Sequence, residues 1–116
     1  MQWIILIGDE SLTLNSIKAV KHHGAIRCHD IPEMRDRYCV DYGDHHVFYD
    51  FDDRIINDYE EAELNKIPFA YPHFIMMVYH SKEQMKEILR QDNFLRGIYV
   101  DDDHGNIMPI EDFIEL

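Results

Sequence analysis

At 116 residues, with 46% apolar and 29% charged side chains, the chain has the size and composition of a single globular domain. Such a domain buries its own core without a disulfide framework or a structural metal. A net charge of −12, from 23 acids against 11 bases, argues against nucleic acid and anionic membrane as partners. The opening run QWIILIG, residues 2–8, has no basic segment before it, is too short to span a membrane and meets Asp9 and Glu10 at once. It reads as the first strand of a bacterial-type cytoplasmic protein. Its near-continuous hydrophobicity predicts a strand covered on both faces. Residues 9–24 read as a helix: Asp9, Ser11 and Thr13 are candidate caps, Leu14, Ile17 and Val20 recur at helical spacing, and Gly24 is the stop. A short strand over 25–31 follows, interrupted by Pro32.

Between residues 37 and 52, alternation in RYCVDY and HHVFYDFD around the turn residues GDH predicts a hairpin. DYEEAELNKI predicts a short acidic helix, with Asp58 and Glu61 at capping-box spacing, ended by Pro68. HFIMMVYH is a second candidate central strand. SKEQMKEILRQ then predicts a helix with Ser81 and Gln84 at its start and Met85, Ile88 and Leu89 on its buried side. The strand GIYV, the acidic stretch DDDHGN, a return through Ile107 and a last helical turn beginning at Pro109 complete the chain. The expected fold is α/β or α+β. It is one domain with a mixed sheet of about six to seven strands flanked by helices, in the order β-α-β-β-β-α-β-α-β-β-α. Residues 73–100 form a βαβ candidate with a right-handed crossover.

The charge is segregated. Residues 50–63 hold seven acids and one base, residues 97–116 hold six acids and no Lys or Arg, and elsewhere acids and bases balance. A surface built for solubility alone spreads its charge. These two segments therefore point to a docking face for a basic protein, carried by Asp52, Asp53, Asp58, Tyr59, Glu60, Glu61, Glu63, Asp101, Asp102 and Asp103. Tyr49, Tyr59 and Tyr71 are candidate anchors for a partner's Arg or Lys.

Other constellations are weaker. Asp9, Asp50 and Asp101 end predicted strands, where three carboxylates could hold Mg²⁺ for a phosphoryl-transfer or hydrolytic enzyme. Yet acids at such places commonly begin turns, and no phosphate-cradling glycine loop accompanies them. Eight histidines include the pairs His22-His23 and His45-His46, but no spacing matches a zinc site. Cys28 and Cys39 lie in predicted strands, where a buried thiol acts as a small hydrophobe. Ser11 lacks the G-x-S-x-G context of a nucleophile. No catalytic residue, metal or cofactor is expected.

A compact, acidic, cysteine-poor α/β domain without a catalytic motif resembles the small immunity proteins of bacterial toxin systems. The resemblance rests on size, charge layout and the absence of catalytic residues. It implies an acidic inhibitor that docks on a cognate toxin, often a basic nuclease, in the cell that makes both. The rival readings are the Mg²⁺-dependent enzyme and an adaptor or subunit of a complex.

Overall fold

Strands that are apolar at nearly every position need cover on both sides, and the two longest apolar runs receive it over most of their length. The computed structural model describes residues 1–116. The elements are β1 (Gln2–Gly8), α1 (Leu14–Lys18), β2 (Arg27–Ile31), β3 (Met34–Asp41), β4 (His46–Phe51), α2 (Glu61–Leu64), β5 (His73–Tyr79), α3 (Lys82–Arg90), β6 (Tyr99–Asp101), β7 (Ile107–Pro109) and α4 (Ile110–Phe113). A 3-10 turn over Ile55–Asp58 precedes α2. Seven strands form one sheet in the order β2-β3-β4-β5-β1-β6-β7, so the α+β architecture is as expected from the sequence.

One expectation is corrected. The sheet is not mixed: every neighbouring pair is antiparallel. The β5-α3-β6 unit does bring its two strands into the same direction, because β1 lies antiparallel between them. The crossover therefore spans a strand that comes from the far end of the chain. No pattern within residues 73–100 could have revealed that insertion.

Alternation along β1 divides the core. Ile4 and Leu6 join Tyr49, Met77, Met85, Ile88, Leu89, Ile110 and Phe113 on a first face, which carries α1, α3 and α4. Ile5 and Ile7 face the other way and meet Phe74, Ile55 and Ile67. The segment from Asp52 to Pro72, containing the 3-10 turn and α2, therefore lies across the middle of the second face. It leaves the β3–β4 side of that face without such a layer.

Local capping explains where the helices depart from expectation. The predicted helix over 9–24 shrinks to Leu14–Lys18, because Asp9 is used in a turn: its Oδ1 accepts from the Ser11 N–H (2.8 Å) and Oγ (2.5 Å). The Thr13 N–H is met by Ser16 Oγ at 2.9 Å. Val20 and His22 still reach the core beyond the helix. In the acidic helix the cap sits two residues later than predicted, with the Glu60 N–H donating to Glu63 Oε1 at 2.9 Å. The Ser81–Gln84 cap forms as expected at 3.2 Å, and Met85, Ile88 and Leu89 are buried. Pro109 ends β7 and caps α4 instead of lying inside it.

His22 is the one buried imidazole. Its Nδ1 lies 3.1 Å from the Val20 carbonyl, which can only accept, so Nδ1 carries the proton and Nε2 accepts from the Tyr49 hydroxyl at 2.7 Å. Burial pushes the His22 pKa down, consistent with a neutral ring.

Gly8 marks where β1 leaves the sheet. A Cβ there would stand 2.8 Å from Leu12 Cβ and 3.3 Å from Ile98 Cγ2. Leu12 Cβ is held by the turn in which the Leu12 N–H donates to the Asp9 carbonyl, so it cannot swing away. Gly8→Ala is expected to cost about 1–3 kcal/mol through overpacking, read as a lower urea midpoint with an unchanged slope. An unchanged midpoint would show that the turn yields freely.

Candidate acidic docking face

The two acidic segments meet. Tyr59, from the segment covering the second face, donates its hydroxyl to Asp101 Oδ2 at 2.5 Å. Its ring lies 5.1 Å from that of Phe74. Burial, then the hydrogen bond from Tyr59 to the Asp101 carboxylate, then the charges of Asp101, Glu63 and Asp103 push the Tyr59 pKa far up. Glu63, Asp101 and Asp103 therefore surround one tyrosine, although 37 residues of chain separate Glu63 from Asp101. Asp58, Glu60 and Glu61 lie exposed beside it in the covering segment.

The ten predicted docking residues separate into groups. Asp53, Asp58, Glu60, Glu61 and Asp103 are exposed, while Glu63 and Asp101 are partly buried at the junction. Asp52 is already committed to Arg54, with Oδ1 at 3.0 Å and Oδ2 at 3.1 Å from the guanidinium. Its charge is locally neutralised, and that pairing with Arg54 holds its carboxyl below the usual range. Asp102 serves the turn. Its Oδ1 accepts from the N–H groups of His104 (2.8 Å) and Asn106 (3.1 Å), and its Oδ2 accepts from the Asn106 side chain at 2.8 Å. Burial opposes ionisation there, but these bonds together hold the carboxyl low. Asp102 also borders the groove beside α3, away from Tyr59.

The turn between β6 and β7 uses its acids more fully than the sequence suggests. Asp101 Oδ1 accepts from the Asp103 N–H at 2.9 Å, so two of the three aspartates hold backbone donors. Gly105 takes φ 87°, but Asp103 also takes a left-handed φ of 64°, a conformation that Asp tolerates better than most residues. Of the candidate anchors, Tyr49 is fully buried and is excluded from docking, Tyr59 is half-buried with its hydroxyl engaged, and Tyr71 stands 73% exposed.

Asp9, Asp50 and Asp101 do not converge. Asp50 and Asp101 lie on one cross-strand row, Asp50–Met76–Ile5–Asp101, three strand spacings or about 14 Å apart. Asp50 is held by Arg37 in a two-pronged pair at 2.6 and 2.8 Å, and Asp9 is held by Ser11. No three His, Cys, Asp or Glu side chains stand together in a geometry suited to a metal ion. Cys28 and Cys39 are free thiols. Cys28 pairs with Val40 and Cys39 with His29 across β2 and β3, so the two sulfurs lie on opposite faces of the sheet and cannot be bridged without rebuilding it. No helix is long and apolar enough to cross a membrane.

Sequence reasoning missed Trp3. It is the only tryptophan, it sits on a central strand, and it is 42% exposed. An apolar run gives no sign of which of its residues the covering segment will fail to reach. Compared with protein-family models, curated proteins and solved structures, the chain shows no match.

Proposed function

We propose that this chain is a non-enzymatic binding protein that docks a basic protein through its acidic face. The fuller form of the reading is an immunity protein that neutralises a cognate toxin in the bacterial cytoplasm. The observation that supports it most is the Tyr59–Asp101 hydrogen bond, which joins the two segments carrying the net charge. Two separate acidic patches would serve no single partner, whereas one continuous patch steers a basic surface and raises its association rate. Two free thiols on opposite sheet faces suit a reducing compartment. Inhibition then requires only that the docked surface cover the toxin's own site.

The test is co-expression with the protein encoded beside this chain, followed by stopped-flow association at several salt concentrations. The expected result is a complex whose association rate falls steeply with salt. Glu60→Lys with Glu61→Lys should slow it by about tenfold or more, while the far-UV spectrum is preserved. Asp102→Asn should affect stability more than association, because that carboxylate holds its own turn. No complex, or a rate indifferent to charge reversal, would remove the electrostatic reading.

A further inference from the structure

The uncovered half of the second face has a definite shape and chemistry. Register places Phe48, Val78 and Trp3 side by side on β4, β5 and β1, and alternation points all three away from the main core. Met76 lies one step along β5 on the same face and is partly exposed. The Arg37 guanidinium sits 4.6 Å from the centre of the Phe48 ring, and His46 stacks on that ring at 6.0 Å. Trp3 is exposed, and Val78, like Phe48, is partly exposed. At one end of this strip a groove of about 650 Å³ runs between the β2–β3 turn and the start of the covering segment.

The groove's charge selects its occupant. Its walls carry Glu33 and Asp36 on one bank and Asp52 and Asp53 on the other, over a floor that includes Asp50 and Met76. Arg37 and Arg54 are already paired with Asp50 and Asp52. Arg35 is then the one unpaired cation facing three unpaired acids, Glu33, Asp36 and Asp53. An apolar strip across three central strands, continuous with a net-negative groove, matches the anatomy of an interface: an aromatic centre within a charged rim.

We infer that this half-face seats a lysine- or arginine-bearing segment of the partner, with an apolar side chain of that segment on Trp3, Val78 and Phe48 and its cations in the groove. The inference rests on the docking role proposed above and deepens it. The acids around Tyr59 attract the partner, and the strip holds it. Apolar contact formed after encounter acts chiefly on dissociation, whereas peripheral charge acts chiefly on association.

Because Trp3 is the only tryptophan, its emission reports the strip directly. The probe is a nine-residue peptide alternating Lys and Leu, compared with the same peptide carrying Glu for Lys. The Lys/Leu peptide is expected to shift Trp3 emission to the blue with saturation, and the Glu/Leu peptide to leave it unchanged. Val78→Thr and Phe48→Thr, both compatible with a strand, are expected to weaken the Lys/Leu peptide by tenfold or more without loss of the folded spectrum. Absence of a saturable shift, equal response to both peptides, or indifference to both variants overturns the inference. A blue shift produced by raising the protein's own concentration would make a second copy the occupant, which also overturns it. Charge reversal at Glu60 and Glu61 lies outside this strip, so failure of the peptide leaves the stopped-flow result standing, and the two ideas fail separately.

Discussion

Raising the pH above 10 is expected to unfold the protein in one cooperative step, with tyrosinate absorbance and loss of the far-UV signal appearing together. Burial pushes the Tyr42 pKa up to about 12 and the Tyr49 pKa well above its ordinary value. Burial, reinforced by the hydrogen bond to Asp101, does the same to Tyr59. A group whose folded pKa is raised contributes its stability fully below the unfolded pKa, here about 10, and loses it as the pH climbs through the folded value. Between those limits the unfolded chain releases protons that the native chain retains. Each raised hydroxyl therefore lowers stability as the pH climbs, the fully buried Tyr49 most, because solvent screens the partly buried Tyr42 and Tyr59. Tyr38 and Tyr79 shift in the same direction, both chiefly by burial. If individual tyrosines instead ionise in a native-like far-UV background, these hydroxyls are open to water and the predicted coupling is absent.

Phe74→Ala is expected to lower stability by about 3–5 kcal/mol, the range for removing a buried phenylalanine. Phe74 is 1% exposed and forms the centre of the smaller cluster, with Ile5 and Ile7 from β1 and Ile55 and Ile67 from the covering segment. The larger cluster on the opposite face does not use this side chain. The damage should therefore appear first as faster amide exchange over residues 55–67, and then as a lower urea midpoint. Loosening the covering segment also releases Tyr59 from Asp101, so salt-sensitive association with a basic partner should weaken. A loss under about 1 kcal/mol would show that the segment lies on the sheet without being bound into its cooperative unit.

Patterns confined to neighbouring residues were readable along most of the chain. QWIILIG and HFIMMVY gave central strands because nearly every position is apolar, and a strand with two buried faces needs that. Ser81 with Gln84 gave the start of α3 because a capping hydroxyl acts within four residues. The helix over 9–24 failed for a local reason of equal strength: Asp9 bonded Ser11 in a turn, and apolar spacing alone does not show whether Val20 reaches the core from a helix or from the chain beyond it. The expectation of a mixed sheet failed for a different reason. Insertion of β1 between β5 and β6 pairs residues about 70 to 100 positions apart, which no local period encodes.

The site divides in the same way. Composition and order along the chain were enough to establish a net charge of −12 concentrated in residues 50–63 and 97–116, because charge is a property of residues wherever they fold. Whether those segments form one face depended on Tyr59 crossing the sheet to Asp101, which packing on Phe74 decides. Packing also removed Tyr49 from the surface and left Trp3 there, while local pairing tied Asp52 to the exposed Arg54. A side chain's exposure depends on what the rest of the chain lays over it, and here the decisive cover is a 3-10 turn and one short helix from 52–72. The charge belonged to the sequence; the meeting of Glu63, Asp101 and Asp103 around Tyr59 belongs to the tertiary structure.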